Sequence, residues 1–181
     1  MKKRRLAIAS FLLVAVLVMG VGYAALTDNL FIKGEATLAT TAAQSTFDDD
    51  VYFSAASVKA SSGSNTATAD SAVIGATDKD SATFYVKSLG NKDESVTFKF
   101  TINNDSTEFD AKITLDTGYP QTTDATNFSI IYSIEEGVTN AGEITCEKGN
   151  TIDVYVTVTL LNSPTENLSA AFNVNLTATS V

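Results

Sequence analysis

The stretch SVTFKFTIN, residues 95–103, sets Val96, Phe98, Phe100 and Ile102 on one face of an extended chain, and Thr97, Lys99 and Thr101 on the other. Side chains of a strand alternate between its two faces. A period of two in β-branched and aromatic residues therefore predicts a strand with one buried face. TIDVYVTVTL (151–160) repeats the pattern with Ile152, Val154, Val156, Val158 and Leu160. AFNVNLTATSV (171–181) turns Phe172, Val174, Leu176 and Ala178 inward against Asn173, Asn175, Thr177 and Thr179. Weaker strand candidates are VYFSAASVKA (51–60), SATFYVK (81–87), FDAKITL (109–115) and NFSIIYSI (127–134). No segment beyond residue 24 has a helical period.

Polar clusters separate these runs: SLGNKDE (88–94), NNDST (103–107), DTGYPQTTDATN (116–127), EEGVTNAG (135–142), EKGN (147–150) and LNSPTEN (161–167). Gly supplies positive φ there, and Asn and Asp bond their own backbone. Strands at about ten-residue spacing without intervening helices predict a single antiparallel β-sandwich, jelly-roll or immunoglobulin-like. Residues 60–72, low in hydrophobics, read as a long loop or an edge region.

The N-terminus reads differently. MKKRR is followed by an apolar run from Leu6 to Met19 broken only by Ser10, then by Gly20, Gly22 and Ala24. A basic start, a short apolar run and small residues before a cut describe a secretory signal peptide. The small-x-small rule places cleavage between Ala24 and Ala25. The competing reading is an uncleaved anchor, since Leu6–Leu26 approaches the ~20 residues of a spanning helix. On the first reading, residues 1–24 are the signal peptide, 25–40 an N-terminal strand or arm, and 41–181 the sandwich domain; only the uncleaved precursor touches the membrane.

Cleavage would remove four of the 12 basic residues and none of the 21 acidic ones, leaving eight lysines and a net charge of −13. Such a chain has no basic patch with which to bind nucleic acid. The sequence contains no His and no Trp. A Ser–His–Asp arrangement and a His-based zinc site are thereby excluded. Cys146, the sole cysteine, makes no internal disulfide, and its phase with Ile144 predicts a small buried residue. No carboxylate pair stands in a recognisable glycosidase context. We expect no enzyme activity and no cofactor. Ca2+ is the metal the residue types allow, at Asp48, Asp49 and Asp50 or at Asp78 and Asp80, but neither stretch matches a calcium loop. Lys99 and Lys112 lie in strands, as the lysines of Lys–Asn cross-linked pilin domains do, but alternation puts Lys99 on the polar face. Four Asn-x-Ser/Thr sequons, at Asn104, Asn127, Asn167 and Asn175, match chance in so Asn-, Ser- and Thr-rich a chain.

The stretch GVGYAALTDNLFIKGEATL (20–38) resembles exported proteins of Gram-positive bacteria cut by a signal peptidase of the SipW type, the TasA/camelysin-like proteins. Tyr23, Ala24, Leu26, Thr27, Asp28 and Gly34 carry the likeness. It implies a jelly-roll sandwich, SipW-type processing, and a place in the biofilm matrix or on the cell surface; without His, a camelysin-like zinc protease activity is out of reach. The alternative is a non-assembling extracellular immunoglobulin-like adhesion or binding domain. In LTDNLFIKGEATL, Leu30, Ile32, Ala36 and Leu38 share one face with Gly34 in phase. This is an apolar-edged strand able to complete its own sheet or, as a donor strand, to join the next subunit and build filaments.

Overall fold

The computed structural model describes residues 32–41, 47–65, 69–77, 79–116, 118–134, 143–164, 168 and 170–181. In chain order these form β1 (Ile32–Thr41), a single helical turn α1 (Phe47–Asp50), β2 (Val51–Ser61), β3 (Ser71–Ile74), β4 (Ser81–Val86), β5 (Ser95–Asn104), β6 (Ala111–Leu115), β7 (Gln121–Thr122), β8 (Phe128–Ser133), β9 (Ile144–Cys146), β10 (Thr151–Leu160) and β11 (Ala171–Ser180). All eight runs read as strands from the sequence, LTDNLFIKGEATL among them, contain strands. The short β3, β7 and β9 escaped that reading. None of the described helices is long and apolar enough to cross a membrane.

Two sheets pack as a β-sandwich-like arrangement. One has the order β3-β4-β1-β11-β6-β9 with β7 beside β11, and the other has the order β2-β5-β10-β8. Alternation does the sorting. Along β5 the residues from Val96 to Ile102 that face inward are fully buried, while Ser95, Thr97, Lys99 and Thr101 stay half-exposed. β5 pairs antiparallel with β10, Phe98 opposite Val156 and Phe100 opposite Val154. The core between the sheets is a chain of rings. Phe84 of one sheet lies 4.8 Å from Phe98 and 6.1 Å from Phe100 of the other, and 6.3 Å from Phe172 beside it. Phe53 joins through Phe100, and Phe128 through Phe172.

The expectation of a wholly antiparallel sandwich needs correcting. β1 and β11 run parallel, in register from Lys33 opposite Ala171 to Thr41 opposite Thr179. That sheet is mixed; the four-stranded one is antiparallel throughout. Parallel and antiparallel strands alternate their side chains alike, so a sequence pattern reports the buried face and not the direction. Within residues 60–72, the described ones include the end of β2 at Ser61 and the start of the edge strand β3 at Ser71.

Candidate functional site: the slot of the first strand

β1 occupies the interior of the larger sheet. On one side it pairs antiparallel with β4, from Ile32 opposite Val86 to Thr37 opposite Ser81, and on the other it pairs with β11. Without β1 these neighbours would face each other across two strand spacings, roughly 10 Å, with both backbone edges unpaired. β1 is the first strand of the described residues.

What β1 buries is unusual for a central strand. Its inward positions are Gly34, Ala36 and Leu38, and Ala36 and Leu38 are 1% and 3% exposed. Lys33 and Glu35 face solvent. Gly34 lies opposite Phe84 on one side and Phe172 on the other. The two rings stack at 15°, and the Phe84 ring lies over the glycine. A Cβ at Gly34 would collide with Cζ, Cε2 and Cε1 of Phe84. A strand glycine often marks such a close approach, and here the neighbouring rings supply the packing it lacks. Next along β1, Ala36 faces Ala82 and Val174, and Leu38 faces Leu176. On the outer face the Thr37 hydroxyl donates to Asn175 Oδ1 at 2.8 Å.

Two carboxylates brace the end where β1 begins. Asp70 accepts the Lys87 and Ser88 backbone N–H groups (2.7 and 3.0 Å) and the hydroxyls of Ser88 and Ser61 (2.6 and 3.0 Å). Glu94 accepts from the N–H groups of Gly90 and Asn91 and from the Asn91 side chain. Burial pushes the Glu94 carboxyl up, but the hydrogen bonds from Gly90, Asn91 and Ser64 outweigh it and bring it down to about 2. These ties fix the β4–β5 connection against the β2–β3 loop and hold the slot's mouth in shape.

The residues singled out from sequence are distributed as follows. The Ala24–Ala25 bond and Leu30 lie outside the described residues, as does the side chain of Ile32, whose backbone pairs with Val86. Ala36 and Leu38 point into the chain's own core. Of the calcium candidates, Asp49 is exposed and Asp50 half-buried in α1, while Asp78 and the Asp48 side chain lie outside the description. Among the described residues, no three Asp, Glu or Cys side chains converge as metal ligands would. Cys146 is buried, its thiol donating to the Asn150 carbonyl at 3.3 Å, and burial pushes its pKa up to about 11. Lys99 pairs with Asp153 at 3.1 Å, and Lys112 with Glu143; both are ion pairs in which no Asn takes part.

Three of the sequon asparagines hold the fold together. Asn104 is fully buried and donates to the carbonyls of Phe109 and Cys146 while accepting from the Ser106 N–H. Asn127 donates to Asp124, and Asn175 accepts from Thr37. Asn167 lies outside the described residues. Sequence reasoning placed Gly34 in phase with the buried face but missed its partner Phe84, fifty residues away. A glycine inside an alternating strand was the available signal. A surface hollow lined by Thr145, Glu147, Asn150, Thr151 and Ile152 brings together one carboxylate and no basic group. No protein-family model matches the chain, and no curated protein matches it significantly.

Proposed function

We propose that the chain is an exported structural subunit of the cell surface or biofilm matrix that polymerises by exchanging its first strand between copies. One observation carries this reading: β1, the first strand of the described residues, fills an interior slot between β4 and β11 rather than an edge. A strand in that position completes a sheet that is otherwise split. A second copy's strand completes it equally well, through main-chain pairing on both sides. The contact is then head-to-tail, and a head-to-tail contact that does not close makes a filament.

The opening segment supports the same reading through its likeness to TasA/camelysin-like proteins, and with it a SipW-type peptidase as the processing partner and a jelly-roll as the finer class of the sandwich. Cleavage between Ala24 and Ala25 frees the strand. Before the cut, the leader holds the segment at the membrane and keeps it from a neighbour's slot, so assembly waits for export.

Electron microscopy of the purified mature chain, residues 25–181, tests this. Filaments are expected on raising the concentration, and none from the uncut precursor. A mature protein that stays monomeric at every concentration overturns the proposal and leaves the non-assembling extracellular binding domain.

A further inference from the structure

We propose that Phe84 and Phe172 make the slot between β4 and β11 a filter for one strand pattern, Gly-x-Ala-x-Leu, and that the segment passing it is β1 of a second copy of this chain. The inference rests on the strand-exchange reading above and adds to it what the slot selects.

The slot tapers. At its Gly34 level the Phe84 ring stands where a Cβ would go. The ring has nowhere to retreat: it is fully buried, 4.8 Å from Phe98, 6.1 Å from Phe100 and 6.3 Å from Phe172. Close-packed interiors relax little around an added atom. Two residues on, the neighbours Ala82 and Val174 leave room for the methyl group of Ala36. Two further on, Leu176 is the partner of a full Leu38 side chain. A strand therefore enters only with glycine, a small residue and a larger apolar residue in that order.

The long strands β5 and β10 fail this test, because Val96 to Ile102 and Val154 to Leu160 present branched or aromatic side chains at every inward position. Of the ten glycines in the sequence, only Gly22 and Gly34 have Ala two residues on and Leu four residues on. Cleavage at Ala24–Ala25 would divide the first match. Residues 34–38 remain as the single match in the mature chain, which commits the slot to β1. The filter also fixes register, since a slip of two residues puts Ala36 or Ile32 beneath the ring.

The test uses the full mature chain, held in urea just below its unfolding transition so that β1 exchanges, and a biotinylated peptide of residues 25–41. The natural peptide and its Glu35→Ala form, altered only on the outer face, should be captured equally. The Gly34→Ala peptide should bind at least about tenfold more weakly. A chain carrying Phe84→Leu should recover most of that loss for the Gly34→Ala peptide alone. Equal capture of the Gly34→Ala and natural peptides by the unaltered chain overturns the filter and leaves strand exchange standing. Failure to capture any peptide overturns both.

Discussion

β1 and β10 are both central strands, and they are held in opposite ways. β10 buries Val154, Val156, Val158 and Leu160 at 1% exposure or less. At roughly 1.5–3 kcal/mol for each such side chain, these contribute about 6–12 kcal/mol. β1 contributes one large buried side chain among its described positions, Leu38, worth roughly 1.5–3 kcal/mol, with about 0.8 more for the Ala36 methyl group. At Gly34 it contributes none, and the Phe84 ring closes over it. β10 is anchored by what it carries, whereas β1 is accepted by a shape prepared for it. A strand of the second kind can leave its slot with little apolar surface exposed from its described positions. The slot it vacates, with Phe84 and Phe172 uncovered and two edges unpaired, cannot stay empty at low cost. That asymmetry suits exchange between copies.

The largest effect should come from deleting residues 25–41. The truncated chain is expected to lose cooperative thermal unfolding, and the peptide of residues 25–41 should restore it in trans. A truncated chain that melts as sharply as the mature one would remove the asymmetry. Within the anchored half, Phe100→Ala should cost about 3–5 kcal/mol in chemical denaturation, since the ring is fully buried among Phe53, Phe84 and β10. A loss below 1 kcal/mol would show that this half is not held by its side chains.

Acid should act on the brace of the slot. Glu94 sits at about 2 in the folded protein, below its ordinary 4.5. A depressed carboxyl adds stability that is present above the unfolded value and lost as pH falls through the folded one. Stability should therefore decline between about pH 4.5 and pH 2, and Glu94→Gln should flatten part of that decline. An unchanged slope would remove Glu94 from the brace. The smallest effect belongs to the outer face of the four-stranded sheet. Lys99 and Asp153 are 33% and 38% exposed, so Lys99→Ala should change stability by less than about 1 kcal/mol.

The same contrast separates what the sequence made legible from what it hid. β5, β10 and β11 declare themselves because each turns four or more apolar residues to one side. β3, β7 and β9, of four, two and three residues, are too short to display a period. β1 was legible as a strand, and its buried face was read correctly at Gly34, Ala36 and Leu38. Its neighbours and its direction were not, because alternation carries no record of pairing partners. The roles of Asp70 and Asn104 were hidden for a related reason. Both look like ordinary loop polar residues until the loops that donate to them, or accept from them, are brought alongside.

Whether β1 fills its own slot or a neighbour's is decided most directly by cross-linking across the parallel pair Lys33–Ala171 on the outer face. Two mature chains, one carrying Lys33→Cys and the other Ala171→Cys, would be mixed, allowed to assemble and treated with a short bis-maleimide. Strand exchange predicts covalent dimers joining one chain of each kind, absent when either chain is treated alone. Filaments that yield no such dimers, from a chain whose Lys33→Cys/Ala171→Cys double variant links only within itself, would contradict the account.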